Sequence, residues 1–164
     1  IILNDSQSIV ALIPDLYPPN KGFPHTTAEE MEIGIRREFV ESLRAKRPDY
    51  DRRLENRFFV FCFKYDLEAL ILASEDSLMD RLGVKQVERS WKVPVENQNH
   101  GKPPKRIVAE LFRQQKMKYK DTVDAPVILG NSQYLDVAEK CPQCFKPFVE
   151  SLSNFRLGSS EVSE

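Results

Sequence analysis

The chain has 164 residues, 41% apolar and 30% charged, with 24 Lys and Arg against 25 Asp and Glu. That length fits one domain with appendages and a sizeable core. A net charge of −1 excludes indiscriminate adhesion to nucleic acid or membrane but leaves room for a local patch.

No apolar run nears the ~20 residues of a membrane span, so no membrane partner is expected. Three cysteines, Cys62, Cys141 and Cys144, are too few and too odd a number for a disulfide framework. They point to a reducing setting, cytoplasm or nucleus. The start, IILNDSQSIVALIP, has neither the basic first region nor the small-residue cleavage site of a secretory signal. It also lacks an initiator Met, as a piece excised from a longer protein would.

Residues 1–26 read as a Pro-rich arm. An apolar stretch, Ile9 to Ile13, predicts a short strand or helix. The segment IPDLYPPNKGFP then predicts an irregular, partly extended path. Leu16, Tyr17 and Phe23 would suit an arm laid across a partner or another copy of the chain. The plainer reading is a connector packed on its own domain.

A single α+β domain is expected over 27–157. Thr27 and Glu30 make a T-x-x-E capping box. Met31, Ile35, Phe39 and Leu43, with Val40 beside them, form one apolar stripe, so 27–47 is predicted helical up to Pro48. The run RFFVFCFKY, 57–65, predicts a central strand with apolar side chains on both faces. Asp66 to Leu82 reads as a helix, with Asp66 as a cap and Gly83 as a left-handed end. Residues 84–95 and 105–112 read as two strands paired like a hairpin, 113–124 as a basic helix, and 125–129 as a fourth strand. Residues 133–155 read as a helix broken at Pro142 and Pro147, and 158–164 as a flexible tail. The order from 57 to 130 is then β-α-β-β-(α)-β. That is a ferredoxin-like split βαβ, an antiparallel sheet with additional N-terminal and C-terminal helices.

The densest charge lies in 102–120. Lys102, Lys105, Arg106, Arg113, Lys116, Lys118 and Lys120 stand against Glu110 alone, a local charge of +6. Such a stretch suits a phosphate backbone. It also suits a solvated face with weak surface ion pairs. Tyr119 and Trp91 could add base stacking there. The rings of Phe59, Phe61, Phe63 and Tyr65 could form a second stacking platform, although large apolar faces seldom stay exposed and a core role is the expectation.

Within 79–123 the chain resembles the RNA-recognition-like domain of the first open-reading-frame proteins of LINE retrotransposons. Leu82, Gly83, Val87, Glu88, Arg89, Lys92 and Val93 match the first part of that pattern; Pro104, Arg106, Ile107, Val108 and Phe112 match the second. The pattern usually has His-Arg where this chain has Trp91-Lys92, and the family is usually basic overall. The resemblance implies an RNA-recognition-like core and non-catalytic binding of single-stranded RNA. It adds Arg89, Trp91 and Lys92 to the candidate site.

Enzyme motifs are missing: no Gly-rich phosphate loop, no nucleophile elbow and no H-E-x-x-H occurs. The acids Asp49, Asp51, Asp66, Glu68, Glu75, Asp76 and Asp80 are spaced as helix-surface and loop charges. Cys141-Pro-Gln-Cys144 has zinc spacing but lacks a second ligand pair, and too little chain follows it for a glutaredoxin-like fold. No metal or cofactor is expected. The expected function is a non-catalytic module for single-stranded RNA or another nucleic acid. The alternative is a protein-interaction or assembly module using the arm and first helix.

Overall fold

Thr27 opens the longest helix by the local chemistry its sequence announces. Its side chain accepts the Glu30 N–H at 3.1 Å, and the Glu30 carboxylate accepts the Thr27 N–H at 3.2 Å and the Thr26 N–H at 2.6 Å. This capping box starts α1, Ala28–Lys46. The computed structural model describes residues 8–16, 22–65, 67–88, 90–98 and 101–158. They divide into two compact units between Lys64 and Tyr65.

The first unit is built on a pair of short strands. β1, Val10–Leu12, runs parallel to β2, Phe58–Val60, with Val10 opposite Phe58 and Leu12 opposite Val60. Parallel strands need a long crossover, and α1 with the 3-10 turn Arg52–Arg57 provides it. Pairing continues past the strands: Phe63 N–H donates to the Pro14 carbonyl at 2.8 Å, and Leu16 N–H to the Phe63 carbonyl at 2.7 Å. Leu43, Leu54, Phe58 and Val60 form one buried cluster, with Phe39 stacked on Phe58 at 3.9 Å. Leu16, Met31 and Cys62 form another, with Phe23 packed against it. The Phe23 ring occupies the space a Cβ at Gly34 would need.

The second unit is helical. α2, Glu68–Ala73, is buried along its whole length; after Glu68 its five residues Ala69 to Ala73 are all apolar, as burial on every side requires. Ser74 breaks the chain into α3, Glu75–Leu82, which ends on left-handed Gly83 (φ 69°). Then follow α4, Pro104–Gln114; α5, Asp121–Gly130; α6, Tyr134–Lys140; and α7, Phe145–Gly158. α4, α5 and α6 each pack on α2. No helix among the described residues is long and apolar enough to cross a membrane.

The ferredoxin-like expectation is therefore overturned. The described residues hold one two-stranded parallel sheet, not an antiparallel one. Residues 105–112, expected as a strand, lie in α4. Its buried positions Pro104, Ile107, Val108, Leu111 and Phe112 follow a helical period, and Pro104 at the first turn starts a helix well. Residues 125–129 lie in α5, despite Pro126 inside it. The described residues of 84–95 form no strand. The side-chain amide of Gln98 takes the partner's place: it accepts the Lys92 N–H at 3.1 Å and donates to the Lys92 carbonyl at 3.0 Å. The strand expected over 57–65 is confined to Phe58–Val60. The RNA-recognition-like core implied by the resemblance thus loses its sheet. The helix start assigned to Asp66 and most of the tail lie outside the described residues.

Candidate functional site

α4 buries one face and turns Lys105, Arg106 and Arg113 outward. Its end is a Schellman turn: Met117 N–H donates to the Phe112 carbonyl and Lys116 N–H to the Arg113 carbonyl, both at 2.9 Å. The turning residue is Lys116, with φ 58°. α3 makes the same turn with a glycine, its Val84 N–H on the Met79 carbonyl at 3.1 Å. A lysine in the left-handed region costs ~1–2 kcal/mol that a glycine avoids.

The turn is anchored from below. Tyr119 donates its hydroxyl hydrogen to Glu68 Oε1 at 3.1 Å, and its ring meets Phe112 at 5.2 Å. Glu68 is 3% exposed, at the start of the central helix. Burial, and then the Glu68 charge, push the Tyr119 hydroxyl's pKa up, so it stays a neutral donor. Beyond the turn, Asp124 accepts the Lys120 N–H at 2.6 Å on one oxygen. On the other it accepts Arg81 Nε at 2.9 Å and Nη2 at 2.6 Å. That buried carboxylate both starts α5 and ties it to α3.

The cations of the stretch fall into two groups. Lys105 lies 3.8 Å from Glu68 and 3.6 Å from Asp121. Arg106 and Lys102 share Glu110, at 3.2 and 3.3 Å, which holds its pKa below the ordinary carboxylate value. Arg113, Lys116, Lys118 and Lys120 are exposed and have no ion-pair partner among the described residues. Four cations thus stand within eight residues, 113–120, that contain no acid.

Other expected site residues are placed differently. Trp91 is 6% exposed, and its indole N–H finds no partner among the described residues. It has no open face for a base. Lys92 is exposed. Lys102 Nζ reaches Ser90 Oγ at 3.4 Å, which sets the segment around Trp91 beside the start of α4. Arg89 and Tyr17 lie outside the described residues. Leu16 is 4% exposed and Phe23 is half-buried, both committed to the cluster around Met31. Of the aromatic strand, Phe63 and Tyr65 are buried, while Phe59 and Phe61 are half-buried and stack on each other at 6.2 Å.

Cys141 and Cys144 are buried thiols. Burial first, then the Glu96 charge, pushes the Cys141 pKa up, away from reactivity. Glu96 accepts the backbone N–H groups of Gln143 and Cys144, each at 2.8 Å. Among the described residues no group of three or more His, Cys, Asp or Glu side chains is placed to hold a metal ion. Sequence reasoning missed Glu68, Asp121 and Asp124 as the acids that organise the basic stretch. Only the proximity of Asp121 and Asp124 to it was a signal.

A family model described as "Domain of unknown function (DUF4276)" matches residues 2–153. The chain belongs to that family. No curated protein and no solved structure matches it.

Proposed function

We propose that this member of the DUF4276 family is a non-catalytic module that binds single-stranded RNA through phosphate contacts on the 113–120 turn. The observation that carries the reading is the set of four exposed, acid-free cations, Arg113, Lys116, Lys118 and Lys120, on a turn pinned to the core by Tyr119. Lys116 adds to it: a cation stands in the left-handed position that a glycine fills at lower cost. Lys102, Lys105 and Arg106 flank the turn and are partly neutralised by Glu68, Glu110 and Asp121. They add field rather than primary contacts. The resemblance of residues 79–123 supports RNA as the polymer, without its sheet. Three thiols and no disulfide fit a cytoplasmic or nuclear setting. Docking of a protein on Leu16 and Phe23 is less well supported, because both pack in the chain's own core.

Fluorescence anisotropy with labelled single-stranded RNA, at low and at physiological salt, tests the reading. Four phosphate contacts predict a log–log salt slope of about −3. The variant R113E/K116E/K118E should lose at least tenfold in affinity while keeping its helical circular dichroism. Undiminished binding by that variant, or no binding at low salt, would overturn the proposal.

A further inference from the structure

Steps of three and four residues put Arg106, Glu110 and Arg113 on one side of α4. Lys102 precedes the helix and Lys116 turns the chain after it. Glu110 is the sole acid between Lys102 and Lys120. It stands where the paired cations of the stretch give way to the unpaired ones.

The two oxygens of that carboxylate are divided between two cations. Oε1 accepts Arg106 Nε at 3.2 Å, and Oε2 lies 3.3 Å from Lys102 Nζ. A phosphodiester offers the same thing, one negative charge shared by two oxygens, and Arg and Lys hold it by the same charge-assisted bonds. Both cations keep further contacts that do not depend on the acid. Arg106 Nη1 donates to the Gly101 carbonyl at 3.3 Å, and Lys102 Nζ reaches Ser90 Oγ at 3.4 Å. The place is open, with the Arg106 side chain 64% exposed and that of Lys102 39%. Exposed ion pairs are individually weak, so a phosphate delivered by a strand already bound nearby can displace the carboxylate. Arg106 and Arg113 are seven residues apart, roughly 10 Å along the helix axis.

We propose that Lys102 and Arg106 form a second phosphate seat on α4, next to the 113–120 turn, and that Glu110 is the chain's own competitor for it. The seat presupposes the RNA-binding reading of the turn and extends it: the strand continues from the turn towards the start of α4, and one carboxylate limits how tightly it is held.

Fluorescence anisotropy with a labelled oligouridine, across a salt series, tests this on the full chain. Glu110→Gln keeps the shape of the side chain and an acceptor for Arg106, so the circular dichroism should not change. Affinity should rise about fivefold, the upper range of one exposed ion pair. Six phosphate contacts in place of four should steepen the log–log salt slope from about −3 to about −4. In a K102Q/R106Q background the same Glu110→Gln change should move affinity by less than about twofold, because the seat is no longer there to be released. An equal gain in both backgrounds would show Glu110 acting only as a general charge and would overturn the proposal. A wild type that binds while Glu110→Gln binds no tighter would overturn the seat alone and leave the turn intact. A wild type that binds no RNA at low salt would remove the turn and the seat together.

Discussion

The hydroxyl of Tyr119 meets the carboxylate of Glu68 across 51 residues of chain, at 3.1 Å. A polar side chain on the surface turn thereby reaches the buried start of the central helix. The turn that displays four cations is for this reason a fixed feature of the second unit.

Removing that hydroxyl should therefore be costly. Tyr119→Phe leaves Glu68 short of a donor and should destabilise the chain by ~1–3 kcal/mol in a urea titration. The hydroxyl's pKa is raised, by burial first and by Glu68 second. Folding thus favours the protonated phenol. The contribution is whole below the ordinary tyrosine value of ~10 and is lost as pH rises above it. Stability measured against pH should fall in the alkaline limb for the wild type and fall less for Tyr119→Phe.

Lys116→Gly should separate stability from binding. Glycine relieves the left-handed strain at φ 58°, so the folded state should gain ~0.5–1 kcal/mol after the glycine's larger unfolded-state entropy is counted. RNA affinity should fall at the same time, by the loss of one phosphate contact. A urea midpoint that moves down would show that the Lys116 side chain contributes more to the fold than its backbone costs.

In α1 the usual preference is reversed. Alanine is ordinarily better than glycine inside a helix by ~1 kcal/mol. At Gly34 the Phe23 ring fills the space of the added methyl group, so Gly34→Ala should destabilise the first unit. With Phe23→Ala already present, the same change should stabilise it. Four thermal melts, arranged as a double-mutant cycle, read the change of sign.

The thiols should be silent. All three are buried; burial and the Glu32 charge push Cys62 up to about 12, and Cys141 is raised as well. A disulfide reagent at mildly alkaline pH should label the native chain more than tenfold slower than the urea-unfolded chain.

The parts legible in the sequence are those set within one or two turns of chain. Thr27 and Glu30 specify the start of α1, and the stripe Met31, Ile35, Phe39, Leu43 specifies its buried side. Gly83 marks the end of α3 in the same local way. α4 was misread because Ile107 and Val108 carry strand propensity. Their burial together with Leu111 and Phe112 has the helical period. The segment around Trp91 was misread because its hydrogen-bond partner is a side chain, that of Gln98, which no strand pattern encodes. The cations of the candidate site could be read directly, since charge is local. Their sorting into paired and unpaired groups could not, since Glu68 lies 51 residues from Tyr119 in sequence.

Glu96 sets a practical limit on dissection. Its carboxylate is nearly inaccessible, and its two donors are the backbone N–H groups of Gln143 and Cys144, 47 and 48 residues later. A fragment cut before Gln143 would keep the acceptor and discard both of these donors, leaving the buried Glu96 carboxylate without the two hydrogen bonds that compensate its burial. Expression of the helical unit alone should therefore succeed only when the insert runs past Cys144, and a protease that nicks the 141–144 turn should release the second unit from its folded state rather than trim its edge.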